Sequence, residues 1–79
     1  MTDEDIKQIV LEKVIEIFEL EPDEIEDNAS FSDNLGGDSV QKLELIAALE
    51  QHFNIYYTGD DAANIDTVNS TVQITKNYI

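Results

Sequence analysis

Seventy-nine residues leave room for one domain, residues 1–79, built on a single small hydrophobic core. A hydrophobic content of 42% is above that of a disordered acidic tail, and the absence of cysteine removes disulfides, thiolate metal sites and any protein thiol nucleophile. Eighteen acidic residues against four lysines give a formal charge of −14, which repels nucleic acid and anionic lipid and favours basic protein surfaces as partners.

The field is uneven: residues 1–38 hold thirteen acids and two lysines, residues 39–79 only five acids and two lysines. The acidic opening Met1-Thr2-Asp3-Glu4-Asp5 lacks the basic segment and apolar block of an export signal. No later stretch is long enough to cross a bilayer, so a cytoplasmic monomer without membrane insertion is expected.

The first helix is predicted over 3–20. Ile6, Ile9, Val10, Val14, Ile17 and Phe18 recur at helical spacing, opposite Gln8, Glu12, Glu16 and Glu19. Thr2 can cap it, three acids suit its positive end, and Pro22 blocks continuation past Leu20. Residues 21–38 form a long polar connection whose only apolar points, Ile25, Ala29, Phe31 and Leu35, are expected to pin it to the core.

A second helix is predicted from Asp38 or Ser39 to about Phe53. Leu45, Ile46, Leu49 and Phe53 form a core stripe, and Val40, Leu43 and Ala47 form another beside it. That is more apolar surface than one core contact needs. Thr58-Gly59-Asp60-Asp61 reads as a turn into a short helical piece over 60–65. Residues 67–79 are ambiguous, since Val68, Val72 and Ile79 can share a helical face while the Thr, Val, Ile and Asn content leans towards a strand. A lone strand would leave its backbone groups unpaired, so a fourth helix held by packing is expected. The fold class is thus all-α, a four-helix bundle with a long first loop and a short third helix.

The distinguishing string is Leu35-Gly36-Gly37-Asp38-Ser39-Val40, at the junction of the long loop and the second helix. Taken alone, Asp38-Ser39 could be no more than a helix cap and the glycines no more than a turn. Its setting is more specific: Phe31 and Leu35 before it, Leu45-Ile46-Ala47-Ala48-Leu49-Glu50 and Phe53-Asn54-Ile55 after it, then Ile65-Asp66-Thr67-Val68. In these features, over nearly its whole length, the chain resembles the acyl carrier protein family.

The resemblance implies a 4′-phosphopantetheine arm on Ser39, flanked by Asp38 and Gly37, that carries acyl intermediates as thioesters on its own thiol. It implies no catalysis by the chain itself. The partners implied are a phosphopantetheinyl transferase and acyl-loading, synthase or transferase enzymes with basic docking surfaces. The side of the second helix bearing Val40, Gln41, Leu43, Glu44, Ala47 and Glu50 matches the face that such enzymes read, although Val40 and Leu43 could instead fold back under the long loop. Residues matching an acyl pocket are Leu49, Phe53, Tyr57, Ala62 and Ile65.

Two departures from the family pattern carry expectations. Gln41 and Lys42 thin the acidity of the recognition helix, which points to a dedicated fatty-acid or polyketide-type pathway. A phenol at Tyr57 in the pocket wall points to short or polar cargo. The Leu-Gly-Gly-Asp-Ser string also resembles aminoacyl and peptidyl carriers of nonribosomal peptide synthesis, which remains an alternative. Neither 27–38 nor 60–66 has the ligand spacing of a calcium loop, so no metal is expected. Hydrolase or transferase chemistry would need a base near Ser39, and the single histidine, His52, is distant in sequence.

Overall fold

The computed structural model describes every residue except Asn34, Leu35 and Gly37, so the expected roles of Leu35 and Gly37 lie outside the described residues. Among the described residues four α-helices follow in order, α1 (Asp3–Phe18), α2 (Ser39–Phe53), α3 (Gly59–Ala63) and α4 (Val68–Lys76), with a 3₁₀ turn at Pro22–Glu24. No strand occurs among the described residues, and no described helix is long and apolar enough to cross a membrane.

Local chemistry sets each helix start. Thr2, Asp38, Thr58 and Thr67 each place a side-chain oxygen on the amide three residues on, satisfying a donor that has no partner inside the helix. At the first of these the contact is reciprocal, and the N–H and hydroxyl of Thr2 hold the Asp5 carboxyl below its ordinary pKa. The first helix stops at Phe18, short of Leu20, because Glu19 turns left-handed (φ 56°) while the amides of Glu19 and Leu20 both return to the Ile15 carbonyl. Asn54 closes α2 in the same way, with φ 58°.

Ile6, Val10, Val14 and Phe18 of α1 are buried, and α1 packs against both α2 and α4. Leu45 and Leu49 from α2, and Val68 and Val72 from α4, complete the centre with Phe31, Ile55, Tyr57 and Ile65. Ile9, Ile17, Ile46 and Phe53, expected on the core stripes, are half-buried at its margin.

The fourth helix explains its own strand-like composition. Thr71 and Thr75 are fully buried, the Thr71 hydroxyl donating to the Thr67 carbonyl at 2.7 Å and that of Thr75 sharing a 2.7 Å hydrogen bond with the Tyr57 phenol. These threonines are core residues whose polar atoms are satisfied, so burial overrides their weak helix propensity. Ile79, expected on the helical face, lies beyond the helix and is exposed.

The long loop is sewn to the start of α4. The Phe31 amide donates to the Asp66 carbonyl at 2.7 Å, and the Asn69 amide to the Asp27 carbonyl at 3.0 Å. The Lys7 ammonium pairs with Asp27 at 2.8 Å, which pushes its pKa up. Phe31, buried to 1% exposure, meets Phe18 edge to face with ring centres 5.4 Å apart. Ile25 packs partly on the core and Ala29 is half-buried, so the loop is held close to where α2 begins.

Candidate functional site

The start of α2 is fixed by a second reciprocal cap. The Asp38 carboxylate accepts from the Gln41 amide at 2.8 Å, and the Gln41 side-chain oxygen accepts from the Asp38 amide at 3.1 Å. Just before it, Gly36 has φ +72° with open space where a Cβ would be, the left-handed turn that favours glycine. Ser39 is therefore presented as the first residue of a fifteen-residue helix, exposed to solvent. An anion esterified there would meet the free amides and positive end of the helix.

Beside Ser39 lies an open cleft of about 420 Å³ between α2 and α3. One wall is Ser39, Lys42, Leu43 and Ile46, spaced i, i+3, i+4 and i+7 on one helical face. The opposite wall is Gly59, Ala62 and Ala63 of α3, whose small side chains leave the space open. Phe18 and Phe31 line it from the core, and Ser32 and Asp38 line it from the loop. An exposed hydroxyl at the end of an apolar slot suits a flexible covalent arm that must lay an apolar cargo down nearby.

Among the described residues, no histidine lies beside that hydroxyl. His52 is thirteen residues along the same helix, about 20 Å at 1.5 Å per residue, and stacks edge to face on Phe53.

A family model described as the phosphopantetheine attachment site matches residues 8–74. The chain is 37% identical over 75 residues to the acyl carrier protein of Buchnera aphidicola subsp. Acyrthosiphon pisum, covering 95% of this chain and 89% of that protein. It is 39% identical over 69 residues to that of Caulobacter vibrioides, covering 87% and 88%. Among solved structures, the acyl carrier protein from Enterococcus faecalis superposes with a TM-score of 0.79 at 32% identity, covering 98% of this chain and 99% of that one. The chain belongs to the acyl carrier protein family.

Its cofactor is accordingly 4′-phosphopantetheine. The residues present fit such a group, since Ser39 is exposed at a helix N-terminus and lines an apolar cleft.

The sequence-derived docking face divides in two. Val40 and Leu43 are 62% and 65% exposed, and Glu44 and Ala47 are exposed with them, so Val40 and Leu43 do not fold back under the loop. Gln41 and Glu50 are turned to internal work. Gln41 closes the cap and donates to the Ile17 carbonyl at 3.4 Å, and the Glu50 carboxylate accepts the Tyr57 amide at 2.9 Å. Both are half-buried as a result.

The cleft also differs from the pocket drawn from sequence. Of Leu49, Phe53, Tyr57, Ala62 and Ile65, Ala62 lines it. Leu49 and Ile65 are wholly buried core residues, and Phe53 is packed against that core. The Tyr57 phenol is turned away to Thr75, and burial raises its pKa. Short or polar cargo therefore draws no support from a phenol in this cleft. Sequence reasoning missed Lys42, Leu43 and Ile46 as cleft residues, although their spacing from Ser39 carried the signal.

Proposed function

We propose that Ser39 is the residue that bears the arm. The supporting observation is the exposed hydroxyl at the first turn of α2, opening on an apolar cleft. In the attachment step the Ser39 oxygen attacks the pantetheine-bearing phosphorus of coenzyme A and the phosphoanhydride bond breaks. Adenosine 3′,5′-bisphosphate leaves, and the hydroxyl proton passes to the transferase. When bound, the arm would supply a thiol on which acyl groups are carried as thioesters. The chain contributes delivery and recognition, and the bond-making belongs to its partner enzymes.

The names of the relatives support acyl rather than aminoacyl cargo. The docking face in this reading centres on Val40, Leu43 and Ala47 with Glu44 at its rim, an apolar centre beside charge that suits basic, transiently bound enzymes. A monomer working in the cytoplasm for a dedicated fatty-acid or polyketide-type pathway completes it. Undiminished chain elongation by general fatty-acid synthases would refute the dedicated pathway.

Incubation with coenzyme A and a broad-specificity phosphopantetheinyl transferase, read by intact mass, tests the attachment. One phosphopantetheinyl group is expected on the native chain and none on Ser39→Ala. A native chain left bare, or a modified Ser39→Ala chain, would overturn the assignment.

A further inference from the structure

Lys42 stands one turn after Ser39, and at i, i+3 their Cβ atoms are about 5–6 Å apart on one helical face. Both residues line the cleft. The Lys42 side chain is half-buried and crosses to α3, where its ammonium donates to the Ala63 carbonyl at 3.3 Å. Despite the eighteen acidic residues, no carboxylate of the described residues pairs with it. The ion pairs there are Lys7 with Asp27 and Lys76 with Asp3. The nearby Asp38 carboxylate is engaged by the Gln41 amide. A neutral carbonyl uses one of three ammonium donors and leaves two for a ligand, at a cleft whose walls are mostly Phe18, Phe31, Leu43, Ile46 and Ala62.

We propose that Lys42 binds an oxyanion carried on the arm of Ser39, and so tunes which loaded forms settle in the cleft. The proposal rests on the Ser39 attachment. Two groups share the required chemistry: the phosphodiester of the arm, and a carboxylate at the far end of a short acyl group. Across a protein of net charge −14, an anion brought to this cleft is opposed by the general field, which an unpaired cation on the cleft wall offsets locally. A plain hydrocarbon cargo gains only the apolar walls.

The test uses the whole chain with ¹⁵N-labelled lysine, armed from coenzyme A, malonyl-coenzyme A or butyryl-coenzyme A, with intact mass confirming each form. A shift of the Lys42 Nζ signal on arming alone, unchanged by either acyl group, identifies the phosphodiester as ligand. A shift with malonyl and not with butyryl identifies the cargo carboxylate. In the first case Lys42→Met should move the ³¹P line of the arm. In the second it should speed malonyl-thioester hydrolysis roughly two- to fivefold, the range of a solvent-accessible ion pair, with Lys42→Arg close to native. An armed chain whose Lys42 signal never moves, or moves as much with butyryl as with malonyl beyond the armed form, overturns the proposal and leaves Lys42 as a tether for α3. A chain that accepts no arm overturns the attachment itself, and the mass separates that failure from this one.

Discussion

The side of the domain where α1 meets α4 is shut, and the side where α2 faces α3 is open. On the shut side Ile6, Val10, Val14, Val68, Thr71 and Thr75 have at most 1% of their surface exposed. On the open side α3 has five residues, none of them buried, and a helix that short cannot sustain itself in water. It is held from outside, by Lys42 at its last carbonyl and by Tyr78, whose hydroxyl donates to Asp61 and accepts from the Thr58 amide at 2.9 Å. The closed half supplies the packing, and the half with the weakest self-support borders the cleft, consistent with moving parts being drawn from the low-stability end of a structure.

Substitutions on the two sides should differ in kind. Leu49→Ala, in the shared core, should cost about 2–5 kcal/mol in urea unfolding. A loss below about 1 kcal/mol would mean that the centre is already loosely packed. Thr75→Val should cost about 1–3 kcal/mol by leaving the buried Tyr57 phenol without its Thr75 partner. Burial raises the Tyr57 pKa above its ordinary 10.0, so the folded state prefers the neutral phenol. The unfolded chain ionises first as pH rises, hence this contribution is complete below pH 10 and is lost above it. Unfolding curves at neutral and strongly alkaline pH check the sign.

Tyr78→Phe removes the hydroxyl from α3 and should cost about 0.5–1.5 kcal/mol. Amide exchange should quicken over residues 59–65 and stay unchanged in α1. Uniform quickening would make α3 part of the closed half and erase the contrast. Leu43→Ala should be smallest, within about 0.5 kcal/mol in stability, while slowing transfer by partner enzymes. A stability loss above about 1 kcal/mol would place Leu43 in the folded core.

Much of this contrast was legible in residue order. Helical spacing gave α1 and the core stripe of α2, and the capping residues Thr2 and Asp38 marked their starts. The exposed pair Val40 and Leu43 followed from a helix with two apolar stripes and one core to fill. The cleft was less legible. The family resemblance alone places Tyr57 and Leu49 in a pocket wall, and local periodicity does not correct this, since side chains near a cavity and side chains filling the core obey the same spacing. The same resemblance places Glu50 and Gln41 on the docking face, and only the fold shows the Tyr57 amide and the Ile17 carbonyl that claim them.

The sequence by itself determined an acidic helical domain, the positions of its caps, and a serine at the head of an amphipathic helix, because these depend on contacts within a few residues. Tertiary structure alone decided which apolar residues fill the core and which line the cleft, that Thr71 and Thr75 are interior, and that Lys42 spans from α2 to α3. Those choices are set by partners distant along the chain, such as Tyr57 for Thr75 and Ala63 for Lys42, and local periodicity carries no record of which distant group will be met.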